Sequence, residues 1–280
     1  MVRYASCRTP DEFDRGYANR ITPLVVERWE AFFRERSRSV LDSAAPREEL
    51  AYGPHPRQRM DLFRAPGAAP DAPVLVAIHG GLWFLFDRWM MHALVPAFTA
   101  AGIHVVCPGY RLAPEHSLST IVEDCRSAVR HLREAAPALG LDPSRLSVLG
   151  HSAAGQLAAL TAGTRDLAIH RWIGVGGFYD IEPFALTNFQ DAVRFTAEDY
   201  ADHNPMRHAH ARMPPGLLIL GARESELLHE MADHYAERLA ATGATARVRD
   251  LSGECHFSAL AALGDPAKPI QREVLAWLRD

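Results

Sequence analysis

Ser152 stands at the junction of two contrasting stretches. Leu146 to Leu149 reads as a short buried strand, and the run Ala153-Ala154-Gly155-Gln156-Leu157-Ala158-Ala159-Leu160 reads as a helix rich in strong helix formers. Gly150-His151-Ser152 leaves room between them only for a tight turn. Such a turn lifts the serine hydroxyl above the sheet end and aims the next backbone N–H, that of Ala153, at whatever the hydroxyl attacks. The spacing departs from a G-x-S-x-G elbow in one place. Ala154 occupies the second position after the serine, and Gly155 comes one residue late. Glycine there keeps helix and strand close, and a single methyl can be accommodated.

Acyl transfer by a serine requires a base, an acid that orients the base, and donors for the developing oxyanion. His256, in the loop Gly253-Glu254-Cys255-His256-Phe257 after the last expected strand, is the best-placed base. The acid should follow the strand Leu217 to Leu220, where the chain reads Gly221-Ala222-Arg223-Glu224-Ser225-Glu226. Glu224 falls in the loop, whereas Glu226 falls in a first helical turn, where a carboxylate favours the helix dipole. Glu224 is the better candidate and Glu226 the alternative. His79-Gly80-Gly81 directly follows the apolar run Val74 to Ile78. Its two glycines let the N–H groups of Gly80 and Gly81 approach a bound carbonyl, with that of Ala153 completing an oxyanion hole.

The elements that would hold these residues alternate. Strands are expected at Val74–Ile78, His104–Cys107, Leu146–Leu149, Trp172–Val175, Leu217–Leu220 and Ala246–Arg249. Helices fall around Trp89–Ala101 and at Ile121–Ala136, Glu226–Ala241 and Ile270–Leu278. That rhythm implies an α/β fold with a mostly parallel central sheet and helices on both faces. Leu50–Gly53 and Gln58–Phe63 add an antiparallel pair at the edge, and Thr22-Pro23 opens a further helix. Residues 1–20 read as a polar surface arm. Residues 178–215 are too long for a simple crossover and read as a small cap over the ligand site. No break divides residues 1–280, so one domain is expected.

A chain of 280 residues with 48% hydrophobic and 23% charged residues is an ordinary globular composition. Its net charge of -4 offers no basic face for nucleic acid. No apolar run suits a signal peptide or a bilayer span, so no membrane partner and a cytoplasmic location are expected. Cys7, Cys107, Cys125 and Cys255 are scattered and read as reduced thiols. His203, His208 and His210 lie in the cap without a convincing third ligand and read as solvated surface, so no metal is expected.

Taken together, His79-Gly80-Gly81, Tyr110-Arg111-Leu112-Ala113-Pro114-Glu115 and Gly150-His151-Ser152-Ala153 resemble the α/β-hydrolase superfamily. They resemble in particular the branch holding hormone-sensitive-lipase-like esterases and kynurenine formamidases. Tyr52-Gly53, Gln58, Asp61-Leu62-Phe63, Trp83, Gly177-Phe178-Tyr179-Asp180 and His256-Phe257 are similar to the formamidase side. The resemblance implies an α/β-hydrolase fold with Ser152 as nucleophile, His256 as base and Glu224 as acid. It also implies Gly80, Gly81 and Ala153 as oxyanion donors, with neither metal nor organic cofactor. The implied reaction is hydrolysis of an aryl formamide such as N-formylkynurenine to formate and an arylamine. Trp83, Phe84, Phe86, Phe178 and Tyr179 could line an aromatic slot or could simply be packing residues. Leu82 stands where an aromatic is common. The partner is a small-molecule substrate, with a homodimer left open. A carboxylesterase or other acyl hydrolase shares the same triad, and a non-catalytic binding protein on the same fold is the reading from another class.

Overall fold

The computed structural model describes residues 4–43 and 47–280. The first three residues of the expected arm lie outside the described residues. One eight-stranded sheet runs through the molecule in the order β1-β2-β4-β3-β5-β6-β7-β8. Its strands are β1 (Arg47–Ala51), β2 (Arg59–Phe63), β3 (Val74–Ile78), β4 (His104–Pro108), β5 (Leu146–His151), β6 (Trp172–Val175), β7 (Gly216–Gly221) and β8 (Ala246–Leu251). β1 pairs antiparallel with β2, and β2 antiparallel with β4; every other pairing is parallel.

Side-chain alternation along the strands divides the core in two. Val74, Val76 and Ile78 of β3 join one cluster, with Leu75 and Ala77 in the other. The first face is covered by α1 (Pro10–Ala18), α4 (Leu118–Leu139), α5 (Ala153–Ala162) and α9 (Glu226–Thr242). The second is covered by α2 (Pro23–Leu41), α3 (Val95–Ala100), α10 (His256–Leu263) and α11 (Pro269–Arg279). Full burial of both faces explains why β3, β4 and β5 read as unbroken apolar runs. A 3₁₀ turn, Arg88–Leu94, precedes α3 and occupies the first part of the helix expected there.

The segment after β6, the expected cap, is a run of short pieces: a 3₁₀ turn at Glu182–Leu186, then α6 (Gln190–Val193), α7 (Ala197–Asp202) and α8 (Pro205–His208). The N-terminal stretch differs from the expectation. It is a helix rather than a surface arm, with Phe13 and Tyr17 packed into the core. Thr9 and Glu12 form a reciprocal capping box and Pro10 takes the first turn. Those local signals outweigh a mixed composition that shows few apolar positions.

Candidate active site

Glu224 and His256 meet beyond the carboxyl ends of the parallel strands, and Ser152 stands on the turn after β5, next in sequence to His151, whose ring lies against that of His256. Ser152 follows β5 with φ 58° and ψ −128°, a conformation costly for any residue with a side chain. Its amide N–H donates to the Val175 carbonyl at 2.8 Å, which pins the turn to β6. α5 begins at the next residue, so the N–H of Ala153 lies at a helix N-terminus, free of intrahelical partners.

Glu224 lies three residues beyond β7 and is 4% exposed. Its Oε1 accepts the Gly221 N–H at 2.9 Å, and its Oε2 accepts both His256 Nδ1–H at 2.7 Å and Asn19 Nδ2–H at 2.9 Å. Burial alone would raise the carboxyl's pKa. The facing His256 and the hydrogen bonds from His256, Gly221 and Asn19 outweigh that and hold it below the usual range. The carboxylate thus stays ionised and occupies Nδ1, leaving Nε2 as the basic nitrogen of His256. Glu226 is the exposed first residue of α9 and takes no part in this network.

His151 braces His256 from behind. Its ring lies 4.7 Å from that of His256, and its Nε2–H donates to the His256 carbonyl at 3.1 Å. Burial first, then the neighbouring His256, pushes its pKa well below the normal value, so it stays neutral. His79 performs a similar task in the loop after β3. It stacks on Tyr110 at 4.1 Å, and its Nδ1–H donates to the Gly80 carbonyl at 2.8 Å. Burial pushes its pKa down to about 4. Because a trans peptide points C=O and N–H in opposite directions, fixing the Gly80 carbonyl also fixes the Gly81 N–H. A side chain on Gly80 would collide with the His151 carbonyl and come within 3.1 Å of Ser152 Cβ, so this backbone lies directly against the serine. Gly81 itself has φ 113°, open to glycine alone.

The elbow has two close contacts, the Ala154 backbone against Gly150 and Gly155 against Gly177. A Cβ on Gly155 would sit 2.4 Å from Gly177 Cα, whereas the methyl of Ala154 is accommodated in the core. The Ala154 methyl is buried in the core, and the close approach to Gly177 comes one residue later.

An apolar cavity of about 500 Å³ opens over Ser152. Its walls include Tyr17, Ile21, Leu82, Phe84, Phe178 and Phe189. Of the five aromatics left open between slot and packing, Phe84 and Phe178 line the cavity and the other three pack elsewhere. Trp83 is fully buried beneath the cavity, with Nε1–H donating to Gln156 Oε1 at 3.0 Å. Leu82 and Trp83 both have positive φ, which turns the chain so that the indole points inward. Tyr179 stacks on Tyr235 at 4.9 Å in the core, and Phe86 packs edge-on against Trp89 away from the serine. Tyr17 and Ile21 had no sequence signal beyond the helix cap that went unread. In the cap, His208 and His210 donate to the carbonyls of Asp202 and Gly163, and His203 bonds Ser119. No cluster of three or more potential metal ligands occurs among the described residues. No helix there is long and apolar enough to cross a membrane.

Sheet order, elbow and acid–base pair together define the α/β-hydrolase superfamily, and the chain belongs to it, near the hormone-sensitive-lipase-like esterases. The BD-FAE family model matches residues 60–174. Carboxylesterase/phospholipase LipF of Mycobacterium tuberculosis is 30% identical over 259 residues, covering 80% of this chain and 67% of that protein. Kynurenine formamidase of Danio rerio is 24% identical over 242 residues, covering 82% and 80%. The chain spans between 50% and 59% of the length of several plant and mycobacterial esterases that it also matches. A Pyrobaculum calidifontis esterase structure superposes with TM-score 0.73 at 23% identity, over 91% of this chain and 92% of that one, which speaks for the fold alone.

Proposed function

We propose that this protein is a serine acyl hydrolase acting through Ser152, His256 and Glu224. The observation that carries the reading is the buried Glu224–His256 pair, 2.7 Å apart, beside a serine held in a strained elbow. His256 Nε2 takes the Ser152 proton as Oγ attacks the carbonyl carbon, and Glu224 stabilises the imidazolium. The amide N–H groups of Gly81 and Ala153, with Gly80 alongside, receive the oxyanion; each such donor is worth roughly 10²–10³-fold in rate. His256 then protonates the leaving group, and a water activated by the same base releases the acid. The cavity's size suits a small organic substrate.

A carboxylic ester fits this machinery directly, and LipF, a carboxylesterase, is similar over most of the chain. An aryl formamide is the second reading. It is favoured by the aromatic lining from Tyr17, Phe84, Phe178 and Phe189 and by similarity to a kynurenine formamidase over four fifths of both chains. In that reaction the formyl group is transferred to Ser152 and the arylamine leaves. A fluorophosphonate probe should label the wild type and leave Ser152→Ala unlabelled; equal labelling of both would remove the catalytic reading. Comparison of kcat/KM on N-formylkynurenine with that on short p-nitrophenyl esters separates the two substrates. A formamide value no higher than the ester value would rule out the formamidase reading.

A further inference from the structure

Asn19 lies far from the triad in sequence but touches its acid. It is the residue that ends α1, with φ 51° and ψ 40°, and Arg20 follows at φ 58°. Asparagine tolerates this left-handed region better than most residues. The turn buries its side chain to 4% exposure and uses both ends of the amide. Nδ2–H donates to Glu224 Oε2 at 2.9 Å, and Oδ1 accepts the Ser225 N–H at 2.6 Å. The reverse amide orientation would set oxygen against carboxylate and NH₂ against N–H, so the network assigns it uniquely. The oxygen that Asn19 holds is the one that binds His256 Nδ1. Around it the Gly16 carbonyl accepts from Ser225 Oγ at 2.8 Å, and Glu230 accepts the N–H groups of Ala5 and Ser6.

We propose that Asn19 is a positioning residue for the acid–base pair. It fixes the carboxylate of Glu224 on His256, and so makes the N-terminal segment part of the active site. The inference rests on the triad reading above. The same stretch supplies Tyr17, Ala18, Ile21 and Thr22 to the cavity wall, so acid alignment and substrate fit share one anchor. The titratable groups facing Glu224 are His256 at the start of α10, His151 behind it and the buried Tyr179. Arg20, Arg223 and Glu226 adjoin it in sequence and are exposed.

Asn19→Asp tests the idea because only its protonated form can still donate to Glu224. Two carboxyls this close share one proton, which raises one pKa of the pair. The ratio of variant to wild-type kcat, measured on a p-nitrophenyl ester, should therefore fall as pH rises through that ionisation. Recovery at the acid end shows that the variant is folded. Asn19→Ala should lose about 10- to 100-fold in kcat at every pH with KM little changed, the worth of one charged hydrogen bond expressed as a rate. A ratio for Asn19→Asp that stays flat with pH, or an Asn19→Ala loss confined to thermal stability, would overturn the proposal. Absence of fluorophosphonate labelling in the wild type would instead overturn the hydrolase reading, so the two failures are distinguishable.

Discussion

At the scale of single residues, the elbow separates two small side chains that look interchangeable in sequence. Ala154 is fully buried with its methyl accommodated, while Gly155 abuts Gly177 with no room for one. Ala154→Gly should thus leave kcat close to wild type and cost about 0.5–1 kcal/mol of stability through helix entropy. Gly155→Ala should cost about 1–3 kcal/mol by overpacking and lower kcat as well, since it pushes α5 away from β6 just behind Ser152. Urea unfolding and ester turnover on both variants check the contrast; equal effects would mean that the close approach is not what fixes the turn. Much of the candidate site was readable at this scale. Ser152, Glu224 and His256 sit where strand ends and chain order put them. Asn19 was not readable, because nothing local shows that a helix-ending asparagine faces a loop about two hundred positions away. The sequence left Trp83 open between slot and packing, because the two left-handed residues that turn its indole inward carry no local signal.

At the scale of elements, a second serine, histidine and aspartate line up within the fold. Ser37 Oγ lies 2.9 Å from His92 Nδ1, and His92 Nε2 lies 3.0 Å from Asp61 Oδ2. The three join α2, the turn before α3, and β2, and Arg88 and Arg47 also bind Asp61. All three are buried, and none lines the cavity over Ser152. Burial would raise the Asp61 pKa, but His92 and Arg88 together hold it below normal. We therefore expect a tie, not a reaction centre. Asp61→Ala should cost about 1–3 kcal/mol, because it leaves the buried His92 and the partly exposed Arg88 and Arg47 without their acceptor. Fluorophosphonate labelling of the folded fraction should be unchanged, and mass spectrometry should find no adduct on Ser37. The strands and the larger helices were legible as apolar runs and amphipathic periods. α1 was not, since its fixing contacts are a capping box and long-range hydrogen bonds rather than a periodic apolar stripe.

At the scale of the whole molecule, several buried histidines are kept neutral by the fold. His79 is pushed to about 4 and His151 well below its ordinary value, in both cases mainly by burial. Unfolded, each would take up a proton near pH 6.5. Below that pH the unfolded state binds more protons than the folded one, so stability falls as pH falls. Glu224 acts in the same direction lower down: its folded pKa is depressed, and its contribution is lost as the carboxylate protonates. Thermal midpoints should hold steady from pH 8 to about 6.5 and then drop toward pH 5. His79→Gln should make that drop shallower, and an unchanged slope would remove His79 as a cause.

The two rims of the sheet carry a further consequence. β1 is short and charged, with Arg47, Glu48 and Glu49, and β8 at the opposite rim carries Arg247, Arg249 and Asp250. Copies brought rim to rim would have to desolvate these charges before their backbones could zip together. The fold therefore resists growing into a continuous ribbon of subunits, even though its interior strands are the kind of apolar segment that stacks readily once uncovered.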